Sequence, residues 1–380
     1  MSPRLRAFLF PVLLAVLGAT IYAIARFPRH REFVDFEVYS RAGGRIVDAA
    51  PLYRSDDGHY QFKYLPAFAL AAVPFAKVDQ TVAKGAWFAL TFGLIVAFVR
   101  RSVRQLPARR MREGPLGWLT ALFLGRFFVA ELSLGQVNVL FGVLLVLALT
   151  AIQAGRGGRA GMFAAIATFI KPYGVIFFPW LAVVGGLGAV GSFGVVLLAG
   201  LALPATLYGW SGNIHLLAEW YRTVTGTTPE NLMYGQNISM TAMWTKWLGL
   251  GTASVALGAA TSLALLLVVV WVWWQRSRVA EPLFLECALI MTLVPMLSPQ
   301  GWDYMLLLAT PAVACLIDRF RDVSRPWQAA TGAALLVVGF TIFDLVGRRA
   351  NDFVAERALI SVGAIVLVVS LAHLRARSLA

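Results

Sequence analysis

The chain has 380 residues, of which 59% are hydrophobic and only 14% charged, whereas a typical soluble domain carries about a quarter charged residues. Apolar runs such as Val255 to Trp274 and Ala329 to Val346 are long enough to cross a hydrocarbon core of about 30 Å. Together these exclude a water-soluble globule and predict an all-α polytopic membrane protein. The formal charge of +14 does not mark a nucleic-acid partner, because the arginines fall in short loops between apolar runs and no basic patch interleaves with aromatics.

In chain order, Arg4 and Arg6 precede an apolar stretch over 7–25 that resembles a signal peptide and is read as a retained first helix. A first outer loop follows over 26–80. Within it, Tyr64 to Phe75 is apolar but too short to span, and is read as a re-entrant or interfacial segment. Further spans are expected near 81–100, 116–132 and 137–153, then a shallow hairpin over 160–171 and 173–188 with its tip at Lys171-Pro172-Tyr173, where proline removes a backbone donor. A span near 192–208 leads to a second long outer loop over 209–249. Spans near 252–274, 282–297, 303–318, 328–346 and 357–374 complete about twelve.

This order places the loops carrying Arg100 to Arg112, Arg156 and Arg159, Arg276 and Arg278, and Arg319 to Arg325 on one side. By the positive-inside rule that side is cytoplasmic, as are both termini. Arg348, Arg349 and Arg357 fall on the other side, beside Asp352 and Glu356. With no internal repeat and no Gly/Ser-rich linker, residues 1–380 read as one membrane domain of an inner-membrane protein. Cys287 and Cys315 lie in apolar runs and read as small buried hydrophobes.

Ionisable groups at bilayer depth are costly unless paired or facing a cavity, so each is a candidate for function. Asp35, in Phe33-Val-Asp-Phe-Glu-Val-Tyr39, has apolar neighbours that would raise its proton affinity and suit it to general-base work. A solvated carboxylate paired with Arg31 or Arg41 fits the same residues. Arg126 and Lys171 could each hold an anion, or could sit in intramembrane ion pairs, Arg126 with Glu131. Gln136 and Asn138, and Gln236 and Asn237, offer amides suited to sugar hydroxyls, although turn chemistry accounts for such residues equally well. Trp302, Asp303 and Tyr304 stand at another outer helix end, where aromatics also gather as an interfacial belt. Asp56-Asp57-Gly58-His59 is contiguous, with no second ligand group at a defined spacing, and is not read as a metal site. No phosphate-binding loop, dinucleotide fingerprint or nucleophile elbow is present, so no cofactor is expected.

The order of motifs runs from Asp35 and Tyr39 through Leu52-Tyr53, Phe62-Lys-Tyr-Leu-Pro66, Gly135-Gln-Val-Asn138, Lys171-Pro172, Gly235-Gln-Asn237 and Ser298-Pro299 to Trp302. It resembles the polyprenol-phosphate-sugar-dependent transferases of the GT-C superfamily, in particular glycosyltransferase family 87, over nearly the whole chain. The resemblance implies a GT-C-like bundle that moves a mannosyl or arabinofuranosyl unit from a polyprenyl phosphate to a glycolipid or glycan at the outer face. It implies inversion, with Asp35 as the base. Glu37, Tyr39, Lys63, Tyr64, Arg126, Gln136, Asn138, Lys171, Gln236, Asn237, Trp302 and Tyr304 are then the expected substrate-binding residues, with Lys171, Arg126 and Lys63 steadying the departing phosphate. Many relatives have a histidine shortly after the tryptophan of the Ser-Pro motif, and Tyr304 stands there instead. A transporter or flippase for a lipid-linked or small polar solute has the same composition, but such proteins usually show repeated halves and paired broken helices at the midplane.

Overall fold

The computed structural model describes residues 33–377. The expected first helix over 7–25, with Arg4, Arg6 and Arg31, lies outside them. Every regular element among the described residues is an α- or 3-10 helix, and the single extended pairing is a bridge of Asn237 with Trp302. Among the described residues, four stretches are long and apolar enough to cross a membrane: Gln80–Arg104, Pro172–Ala202, which is broken at Gly186, Thr252–Trp274 and Leu359–Arg377. The pair Glu113–Phe123 and Gly125–Leu134, bent by 67°, makes a fifth. A count of twelve therefore relies also on shorter apolar helices such as Asn138–Gln153, Gly157–Ile170 and Leu283–Leu297.

The structure differs from the sequence expectation at several helix ends. The span expected at 116–132 breaks at Leu124. The one expected at 303–318 opens as a 3-10 segment, Asp303–Ala309, before Thr310–Asp318. There Pro311 has no N–H to offer the Leu307 carbonyl, which accepts from the Thr310 N–H and from the Thr310 hydroxyl at 2.5 Å. The span expected at 328–346 ends at Phe340, and two short helices, Phe343–Val346 and Arg348–Glu356, follow.

The chain clusters into two compact units. One comprises residues 96–129 and 228–377 of the described chain. Its Arg325–Phe340 helix packs on Leu359–Arg377, and Met240–Leu248 packs on Thr252–Trp274. Ser239 caps the Met240–Leu248 helix, accepting from the Ala242 N–H at 3.1 Å.

The other unit comprises residues 33–95 and 130–227 and holds Asp35. The stretch expected as the first outer loop is largely helical here, as Val34–Val47 and Pro66–Ala76, which pack together. Pro66 starts its helix in the first turn, where a missing N–H costs nothing. Gly157–Ile170 packs closely on the helix that follows it. Gly161 faces the Ala189 backbone and Phe169 faces Gly200, so the two pack in the same direction. The intervening residues must run back, and Phe177–Ala202 is indeed broken at Gly186 (φ 62, ψ −163). This is the hairpin expected at Lys171-Pro172-Tyr173.

The turn Leu134-Gly-Gln-Val-Asn138 determines how the Val34–Val47 helix sits in this unit. Gly135 is left-handed (φ 68), and a Cβ there would stand 2.7 Å from the Phe36 Cβ. Only glycine permits both the turn and that contact. Gly135→Ala is expected to cost on the order of 2–3 kcal/mol from backbone strain plus the clash. Gly93→Ala, whose Cβ would meet nothing within 4 Å, is expected to be neutral. Thermal unfolding of the two variants in detergent makes the comparison.

Candidate functional site

Asp35 lies in the first turn of Val34–Val47, where the positive end of the helix favours a carboxylate. The residue before that helix, Phe33, is left-handed (φ 58), a conformation uncommon for an aromatic residue. It is fixed by an N–H bond to the Ser133 carbonyl at 2.9 Å and by edge contacts of its ring with Phe36 and Phe88. The Trp87 indole N–H donates to the Gly135 carbonyl at 3.0 Å. The helix bearing Asp35 and the turn bearing Gln136 are thus held together by main chain and aromatics.

A directed chain of hydrogen bonds runs through this unit to Asp35. The Lys171 amine donates to the Tyr64 hydroxyl at 3.3 Å and stands 4.8 Å from the centre of that ring. The Tyr64 and Tyr39 hydroxyls are 2.7 Å apart. Tyr39 donates onward to Gln136 Oε1 at 3.3 Å, so its proton is committed there and Tyr64 is the donor in the tyrosine pair. Gln136 Nε2 donates to Asp35 Oδ2 at 2.7 Å. Each donor from the lysine onward points toward the carboxylate. Lys171 can project because Pro172 disfavours helical backbone in the residue before it, and Lys171 is extended (φ −137, ψ 117).

The amide of Gln136 is also fixed from its far side. Asn138 Nδ2 donates to Gln136 Oε1 at 3.3 Å and to Glu131 Oε2 at 2.9 Å, and the Val139 N–H donates to Glu131 Oε1 at 2.7 Å. Glu131, Gln136, Asn138 and Tyr39 are all buried, whereas Asp35 is half-buried. Asp35 Oδ1 makes no hydrogen bond among the described residues. Burial pushes the Asp35 carboxyl up from 3.8 to about 6, against the opposing charge of Lys171, the Gln136 hydrogen bond and the charge of Lys63. Among the described residues one oxygen is held and the other makes no hydrogen bond, on a carboxylate that titrates at about 6.

Other residues have partners of their own. Glu37, two positions along the helix from Asp35, points elsewhere and pairs with Lys84 at 2.6 Å. Lys63 is half-buried, and its carbonyl accepts from the Trp220 indole at 3.2 Å. Asp57 is bound by Arg41 at 3.1 Å and by Arg45, and Asp56 by Arg54 at 2.6 Å. The acids of the Asp56-Asp57-Gly58-His59 cluster therefore serve as ion-pair partners.

In the other unit, Arg126 pairs with buried Asp303 at 2.8 Å and donates to the Thr341 carbonyl at 3.0 Å, so the partner weighed from sequence, Glu131, is replaced by Asp303. Asn237 is fully buried and donates to the Asn231 and Pro299 carbonyls, both at 2.9 Å. The Gln236 carbonyl accepts from the Asp303 N–H at 2.8 Å. Trp302 and Tyr304 stack with centroids 6.5 Å apart, and Tyr234 meets Trp302 edge-on. Lys246, which the sequence reading did not single out, donates to the Gly235 and Asn237 carbonyls at 2.8 and 2.7 Å.

Apolar helices of spanning length mark a membrane protein, and in one of its units a half-buried carboxylate is linked to a lysine through hydrogen bonds. Residues 62–299 match the model of glycosyltransferase family 87. That is well over half the chain, and the chain belongs to this family. It is accordingly a glycosyltransferase. Asp35, Glu37, Tyr39, Trp302 and Tyr304 lie outside the matched residues. No curated protein and no solved structure matches the chain.

The raised proton affinity of Asp35 has a consequence for stability. The folded state binds its proton more tightly than the unfolded chain does, so stability falls as pH rises from 3.8 through about 6. The full penalty applies above that range. Allowing for the partial exposure of Asp35, it is on the order of 2 kcal/mol. Asp35→Asn removes the penalty, and its thermal midpoint is expected to exceed wild type at pH 7.5, with the gap closing below pH 4.

Proposed function

We propose that the chain transfers a mannosyl or arabinofuranosyl unit from a polyprenyl-phosphate donor to a glycolipid or glycan acceptor, with inversion at the anomeric carbon. Asp35 is the general base. Its Oδ1 takes the proton of the acceptor hydroxyl as that oxygen bonds to the anomeric carbon. The bond from that carbon to the phosphate oxygen breaks on the opposite face, and its electron pair leaves with the polyprenyl phosphate. The observation that carries this reading is the half-buried carboxylate with one oxygen held by Gln136 and the other making no hydrogen bond among the described residues.

Charge develops on the phosphate as it departs, and preorganised cations lower that barrier. Lys171 and Lys63 are the cations for this role, since both already act on the Asp35 charge. Arg126 is less suited than the sequence suggested, because Asp303 balances its charge. In the other unit, the stacked Trp302 and Tyr304 form an aromatic face of the kind that suits carbohydrate. The enzyme works as a single domain at the outer face of a bacterial inner membrane, with both termini cytoplasmic and shorter apolar helices completing about twelve spans.

The test is transfer of radiolabelled sugar from synthetic polyprenyl-phosphate mannose or arabinofuranose to membrane glycolipid by purified protein. Wild type is expected to transfer from one of the two donors. Asp35→Asn is expected to lose at least about a hundredfold, the low end for removal of a general base. Full activity in Asp35→Asn contradicts the assignment of the base, and inactivity of wild type with both donors contradicts the donor class.

A further inference from the structure

The unit formed by residues 96–129 and 228–377 contains a pocket of about 760 Å³ that the glycosyl-transfer reading does not use. One wall is apolar, built from Leu106, Phe284, Leu285 and Leu374. The polar lining carries five arginines against two acids, Glu281 and Asp322. Three of the arginines are committed. Arg110 pairs with Asp322, Arg319 donates to the Pro107 carbonyl at 2.8 Å, and buried Arg375 donates to the Pro282 carbonyl at 3.2 Å. Arg321 and Arg377 are exposed and make no hydrogen bond or ion pair among the described residues.

Two uncommitted guanidinium groups beside an apolar wall suit an amphiphile with an anionic head. The pocket volume falls within the range of sites for small organic ligands. Its loops are among those that the positive-inside rule assigns to the cytoplasm, which puts the arginines at the depth of lipid headgroups. We infer that this pocket binds an anionic phospholipid, its phosphate on Arg321 and Arg377 and the start of an acyl chain along Leu106, Phe284 and Leu374. A guanidinium pair recognises phosphate by charge and by parallel hydrogen bonds. Exposed Glu281 disfavours a second anionic group nearby and can accept from headgroup hydroxyls, which points to a phosphatidylglycerol-like head. A free phosphate would satisfy the arginines and leave the apolar wall without a partner.

Purified full-length protein, stripped of lipid in neutral detergent, can be titrated separately with short-chain phosphatidylglycerol, phosphatidylcholine and inorganic pyrophosphate, with bound species counted by native mass spectrometry. Phosphatidylglycerol is expected to bind at least about tenfold more tightly than phosphatidylcholine. Replacing both arginines, Arg321→Gln with Arg377→Gln, is expected to erase that preference. Ala280→Trp, which adds bulk in the lining of the pocket and leaves its charge intact, is expected to weaken binding of phosphatidylglycerol. All three positions are exposed, so unfolding midpoints near that of wild type should accompany these losses. Equal binding of the two lipids, tight binding of pyrophosphate alone, or unchanged phosphatidylglycerol binding in both variants overturns the inference.

Discussion

The amide of Gln136 is the interaction on which the site depends. A neutral amide has one donating and one accepting end, and here both ends are committed in a fixed sense. Its oxygen accepts from Tyr39 and Asn138, so its nitrogen must face Asp35. The orientation of the amide is therefore set by its neighbours, and with it the rotamer of the carboxylate. The amide reaches this place because Gly135 turns left-handed against Phe36. Removing that turn would separate the helix of Asp35 from the residue that orients it.

Burial and the hydrogen bond act on Asp35 in opposite senses, and the balance suits a base. Desolvation alone would raise the carboxyl further and leave less of it ionised to accept a proton. Gln136, Lys171 and Lys63 restrain the shift, holding the carboxyl at about 6. It is then largely ionised at neutral pH and still basic enough to take a proton in the transition state. The polarised chain from Lys171 through two tyrosines serves the same end, stabilising the anion without placing a cation in direct contact with it.

Much of this was legible in the sequence. Asp35, Tyr39, Tyr64, Gln136, Asn138 and Lys171 stand far apart in the chain, and the order of their motifs sufficed to group them. The family assignment followed from the same order. What could not be read were partners fixed by tertiary contact. Arg126 lies five residues from Glu131 in the chain, yet its partner is Asp303, 177 positions away, and no helical spacing foretells that. Glu37 could have been set aside, since two positions along a helix turn a side chain to nearly the opposite face. Asn237 reads as a ligand amide in sequence, but its donors are used by loop carbonyls. The bend at Leu124 has no proline to announce it.

In the proposed reaction Asp35 is the proton acceptor and Gln136 tunes it. The most direct measurement is the pH dependence of kcat/KM for sugar transfer by wild type and by Gln136→Met, a change close in volume that removes the donor to Asp35. Wild type should lose activity on the acid side with an apparent pKa near 6, the value for the free enzyme's base. In Gln136→Met that limb should move to higher pH, because the bond that favours the ionised form is gone. An acid limb that stays in place in Gln136→Met, or a wild-type profile flat between about pH 5 and 7, would contradict the account.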